Sequence, residues 1–153
     1  MNYIKEAEKH LRYYKDLDRS IVNMDRQIGR LVSKAGPKSL TAIVLDDVKV
    51  QSSAHDETIN IIYEIQLLTA NKAKTQEELD KIDRILDEIS QEHGCELYGK
   101  VLRKWYIEQK SKEVILEELH YSENSRRSVY NIKNEAIRKF AVTLFGIEAL
   151  KAI

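Results

Sequence analysis

Apolar residues recur along the first 33 positions at steps of three and four: Ile4, Ala7, Leu11, Tyr14, Leu17, Ile21, Met24, Ile28 and Leu31, with charged residues between them. That period puts them on one side of a single long helix. The stripe is narrow, like a coiled-coil seam rather than the face of a globular core helix. "KAGPKS" stops the helix, with Gly36 suited to a left-handed cap and Pro37 just beyond. From Ser39 to about Ala54 the pattern changes. "TAIVLDDVKV" is β-branched around Asp46 and Asp47, and "QSSAHD" reads as a loop with capping residues. A short hairpin and an ordered loop both fit this stretch. Two isolated strands are marginal in water, so no sheet is assigned.

A second long helix runs from about Asp56 to His93, with a seam of Ile62, Ile65, Thr69, Lys72, Gln76, Leu79, Ile82, Leu86 and Ile89 and a polar middle, "TANKAKTQEE". Gly94 ends it. Each long helix would span about 50 Å. Neither has an apolar face wide enough to stand alone, so they pair as an antiparallel hairpin over residues 1–94, with an irregular connection at about 34–55. Residues 95–153 hold three shorter helices: about Glu96–Gln109, Lys112–His120 and Ser125–Phe145. Ser111, Ser122 and Ser125 are credible N-caps. The expected fold is all-α: a coiled-coil-like hairpin, then a small three-helix domain with helix-turn-helix spacing.

Within the last helix Val129, Ile132, Ala136 and Phe140 stack on one face, while Arg127, Asn131, Asn134 and Arg138 line another. Elsewhere in the chain the outer helix faces are Glu and Lys. Leu97, Val101, Leu102, Trp105 and Tyr106, together with Ile115, Leu116 and Leu119, supply apolar bulk for the core of this domain. That leaves Arg126, Arg127, Ser128, Tyr130 and Asn131 near the start of the exposed face. Arg carries a fork that matches the two acceptors of guanine, and Asn matches the donor and acceptor of adenine. Ser, Tyr and a helix N-terminus suit phosphate oxygens. Lys133, Asn134, Arg138 and Lys139 extend the polar side and add candidate backbone contacts.

Net charge is zero, yet its distribution is uneven. Residues 1–94 carry 14 Lys and Arg against 17 Asp and Glu, and residues 95–153 carry 11 against 8. Ser125–Phe140 has five basic residues and one acidic. The positive charge thus collects where a groove-binding helix needs it. No apolar run approaches the roughly 18 residues of a membrane span, and "MNYIKEAEKH" lacks the apolar stretch of a signal peptide. The single Cys95 cannot form an internal disulfide, which suits a reducing cytoplasm. His93 and Cys95 make an H-x-C, but His10, His55 and His120 are scattered, so no metal-ligand spacing results. Asp46-Asp47 and Asp56-Glu57 have no partnering base or glycine-rich loop, and no nucleophile–base pattern occurs. No catalytic residue, cofactor or metal is therefore expected.

"SKEVILEELHYS" followed by "SVYNIKNEAIRKF" resembles the helix-turn-helix of region 4 in bacterial sigma factors, with Ala136-Ile137-Arg138-Lys139-Phe140 in place of an Ala-Leu-x-Lys-Leu-like run. This resemblance covers about residues 96–145. Between Ser122 and Val129 the chain is about three residues longer than the sigma pattern, so the recognition helix starts at Ser122 or at Ser125. Over most of its length the chain is also similar to RinA/ArpU-type late-gene regulators of prophages in Gram-positive bacteria. This similarity rests on the helical N-terminus, "GPKSLTAIVLDD", the second long helix and "LRKWYIE". The resemblance implies a DNA-binding transcription regulator in the cytoplasm of a bacterial host. It would be a homodimer, with double-stranded DNA and RNA polymerase as partners. By it, Arg126, Arg127, Tyr130 and Asn131 reach DNA. The polymerase-core and promoter-melting regions of whole sigma factors have no counterpart here. The alternative is an adaptor that binds polymerase or a phage partner without DNA. A purely structural coiled coil ranks third, because it explains neither the short helices nor the basic face.

Overall fold

The computed structural model of the chain describes residues 1–36, 53–119 and 126–153, with backbone only at 53–55 and 126–127. The irregular connection expected at 34–55 falls mostly outside these residues, as do Ser122 and Ser125. Among the described residues every regular element is helical and none is a strand. In chain order they are α1 (Tyr3–Arg12), α2 (Tyr14–Ala35), α3 (Ser53–Ile89), α4 (Tyr98–Leu102) continuing as a π-helical turn (Arg103–Ile107), α5 (Lys112–Glu118), α6 (Arg126–Phe145) and α7 (Ile147–Ala152).

The single N-terminal helix expected over residues 1–33 is interrupted at Tyr13, which stays in the right-handed region at φ −74° and ψ −11°. The break falls where the apolar positions take two three-residue steps in succession, Leu11 to Tyr14 to Leu17. Such a run overwinds a helix locally. Asn2 caps α1 by accepting a hydrogen bond from Lys5 N at 3.1 Å. Gly36 stands at φ +78° and serves the left-handed helix end expected of it, whereas α3 stops at Ile89, short of the expected His93, and Gly94, at φ +86°, lies in the turns that follow. Gly146, at φ +70°, serves a left-handed end between α6 and α7 and opens a last helix that periodicity did not anticipate.

Packing divides the chain into two compact units, one of Met1–Asp16 with Leu79–Ile153 and the other of Leu17–Glu78. The first thus gathers α1, the last part of α3 and everything that follows. Its core joins Ala7 and Leu11 of α1, Ile82, Leu86 and Ile89 of α3, Leu102 of α4, Tyr106, and Ala136, Ile137, Phe140 and Ala141 of α6. Polar ties frame this core. Tyr14 donates to both oxygens of Asp83 at 2.9 and 3.0 Å, and Arg103 donates to the same carboxylate at 3.0 Å. Tyr106 donates to Glu8 at 2.9 Å, and burial first, then that carboxylate, raises its pKa above the ordinary tyrosine value.

In the second unit Ile21 and Ile61 are the buried apolar residues among those described. Lys34 pairs with Glu57 at 3.6 Å and Lys72 with Asp25 at 2.5 Å. The seam of α3 departs from the expected one. Ile61 is buried, Leu68 and Thr75 are half-buried, and Thr69 and Gln76 are exposed. Among its buried and half-buried positions, 61, 65, 68, 72, 75, 79, 82, 86 and 89 follow alternating steps of four and three, and Ile85 is buried beside them. That alternation averages 3.5 residues and holds one phase, whereas the expected set slipped phase in the polar middle.

Within the first unit α4 lies close against the end of α3. Gly99 N donates to Ser90 Oγ at 2.9 Å, and that hydroxyl donates to Leu86 O at 2.9 Å. A β-carbon at Gly99 would lie 2.5 Å from Ser90 Oγ and 2.7 Å from Leu86 O. A backbone carbonyl cannot rotate away, so Gly99→Ala should cost about 1–3 kcal/mol by overpacking. Urea unfolding measures this; an unchanged midpoint would mean that the helices sit farther apart.

Candidate nucleic-acid interface

The region that carries the candidate site is built from the π-helical turn, α5 and the first half of α6. In the turn Glu108 N donates to Arg103 O at 2.8 Å, one residue wider than an α-helical bond, and Gln109 follows at φ +52°. Ser111 then caps α5, its hydroxyl accepting from Val114 N at 3.4 Å. Glu118 at the far end of α5 is clasped by two lysines from the preceding segment: Lys104, and Lys110 at 2.6 Å. The Lys104 hydrogen bond first, and then that of Lys110, hold the Glu118 carboxyl below the usual carboxylate range. This clasp orients a helix too short to be stable by itself.

Underneath, Ile115 and Leu116 of α5 meet Val129 of α6 in a small buried cluster, edged by half-buried Trp105 and Leu119. With Val129 and Ala136 committed inward, Ser128, Asn131, Asn134 and Arg138 of α6 are exposed. Ser128 to Arg138 spans about 15 Å along the axis.

The candidate residues fall into two groups. Tyr130 and Lys133 come together at the Trp105 edge of the small cluster. The Tyr130 ring stands edge-on to Trp105, with centroids 5.3 Å apart at 64°. Lys133 Nζ lies 4.9 Å from the Trp105 centroid and 5.9 Å from that of Tyr130. A second ammonium, Lys112 Nζ of α5, lies 4.3 Å from the Tyr130 centroid. Asn134 and Arg138 instead line a groove of about 330 Å³ with Ile4 and Ile137. Arg138 also borders a larger one, about 490 Å³, with Met1–Ile4, Ala152 and Ile153. The side chains of Arg126 and Arg127 lie outside the described residues; their backbone forms the first turn of α6.

Two differences from the sequence reading have physical causes. Lys139, a candidate backbone contact, is instead ion-paired to Glu92, with Cys95 Sγ at 3.6 Å. That carboxylate first of all raises its pKa above the ordinary lysine value. Position 139 sits one residue beyond the exposed Arg138, which turns it toward the end of α3. Lys112 escaped the sequence reading altogether, because nothing local to residues 111–118 signals that its ammonium meets a tyrosine of α6. Among the described residues no group of three or more His, Cys, Asp or Glu side chains converges as a metal site, and no helix is long and apolar enough to cross a membrane. Comparison with protein-family models, with curated proteins and with solved structures finds no match.

Proposed function

We propose that this chain is a sequence-specific regulator of phage or prophage transcription that binds duplex DNA through α5 and α6 as a helix-turn-helix. The observation that supports it most is the division of labour on α6. Val129 seats the helix on Ile115 and Leu116, while Ser128, Asn131, Asn134 and Arg138 stay exposed on a basic helix. This is the arrangement that lets the start of a recognition helix enter the major groove while its partner helix braces it. Arg126 and Arg127, in the first turn, would read base edges. The resemblance to sigma region 4 and to the RinA/ArpU-type regulators agrees with this reading.

The remaining architecture fits such a regulator. Lys34 pairs with Glu57 and Asp25 with Lys72, an opposite order along α2 and α3 that suits an antiparallel hairpin. Tyr63 and Leu67 are exposed one turn apart on α3, where a second copy would find apolar surface in a homodimer. A second reading, an adaptor that binds RNA polymerase without DNA, is favoured by exposed Ile147 and Leu150 on one face of α7. Both readings place the protein in the bacterial cytoplasm.

Fluorescence anisotropy of labelled duplex from the gene's own neighbourhood, beside an unrelated duplex of equal length, separates them. A regulator should prefer the local duplex by about a thousandfold or more. Its log affinity should fall linearly with log salt. Equal, negligible binding of both duplexes, with polymerase retained on the immobilised protein, would replace the regulator by the adaptor.

A further inference from the structure

We infer that Lys112 and Lys133, held against the faces of Tyr130 and Trp105, form a clamp for a backbone phosphate of duplex DNA beside the recognition helix. This rests on the DNA-binding reading and adds to it a residue of α5 and a specific contact. Several lysines of this unit are paired with carboxylates. Lys104 and Lys110 share Glu118, Lys139 takes Glu92, and Lys9 takes Glu6. Lys112 and Lys133 differ: among the described residues their partners are rings, with Nζ 4.3 and 5.9 Å from the same Tyr130 centroid and, for Lys133, 4.9 Å from Trp105.

A carboxylate cancels an ammonium charge, whereas a ring holds it through a quadrupole and leaves the net charge in place. Two positive charges brought to one ring repel each other and gain from a shared anion. The edge-on packing of Tyr130 on Trp105 fixes the platform, and Lys112 is exposed while Lys133 is half-buried. Side-chain entropy is thus partly lost before the ligand arrives. The pair flanks exposed Ser128 and Asn131 on the side toward α5, where a strand bordering the groove would pass. A phosphate contact positions without reading sequence, which complements the base-reading residues of the first turn.

The test compares the full chain with K112Q/K133Q on both duplexes across a salt series. Glutamine keeps most of each stem and removes the charge. The double variant should lower the slope of log affinity against log salt by about 0.9 or more. Near 0.15 M salt that corresponds to roughly fivefold weaker binding, by the same factor on the local and the unrelated duplex. K112R/K133R should keep the wild-type slope. Inorganic phosphate at matched ionic strength should displace no duplex; displacement would identify a free-phosphate site and overturn the clamp. An unchanged slope in K112Q/K133Q, with wild-type binding intact, overturns the clamp alone. Failure of the wild type to bind any duplex overturns the DNA-binding reading, and the clamp with it. Circular dichroism of each variant identifies any that fails to fold, in which case K112Q alone carries the comparison, with the same uniform weakening as its expected result.

Discussion

Phe140→Ala is expected to remove about 3–5 kcal/mol of stability, the usual cost of truncating a fully enclosed phenylalanine. Phe140 has no exposed surface and belongs to the core that gathers α1, the end of α3, α4 and α6. The loss combines apolar area returned to water with a cavity whose walls come from separate helices and cannot collapse together. Against the 5–15 kcal/mol that holds a typical domain, this is a large share. For a chain of this length it corresponds to roughly 6–20 °C in melting temperature. Thr143→Ala, exposed on the same helix, should change stability by no more than about 0.5 kcal/mol. Thermal and urea unfolding of both variants decide the matter. A small effect at Phe140 would show that the residues around it do not act as one core.

Reversing Arg126 and Arg127 together to glutamate should abolish specific duplex binding. One well-placed arginine–guanine pair is worth about 1–3 kcal/mol of discrimination. Losing two therefore costs at least about 2 kcal/mol, or roughly thirtyfold, before repulsion between two carboxylates and the phosphates is added. Both residues stand in the first turn of α6, ahead of the buried Val129. Circular dichroism and the melting temperature of the double variant establish that it folds before its binding is compared. Anisotropy on the local duplex gives the answer, and retained binding would remove the recognition role from this helix.

Much of the helical content was legible in the residues themselves. Three- and four-residue spacing, the Ser111 cap and the glycine at 36 are local devices, and each acts in the structure as local physics requires. The seam of α3 was harder, because Thr69, Thr75 and Gln76 carry little apolar contrast. There only the continued steps of four and three separate half-buried Leu68 and Thr75 from exposed Thr69 and Gln76. The polar side of α6 was readable too, since Val129 and Ala136 declare the opposite side by their chemistry.

What periodicity could not supply is which stripes meet. Ala7 and Leu11 look like two more positions of a long seam, yet they share a core with Phe140 more than a hundred residues away. Tyr130 rests on Trp105, Lys112 reaches Tyr130, and Lys139 is drawn to Glu92. Local spacing determines which side of each helix is apolar, because that depends on 3.6 residues per turn and on nothing outside the helix. Partnership was decided by tertiary structure, because hydrophobic attraction is non-directional, and any apolar stripe satisfies another until volume and shape select among them.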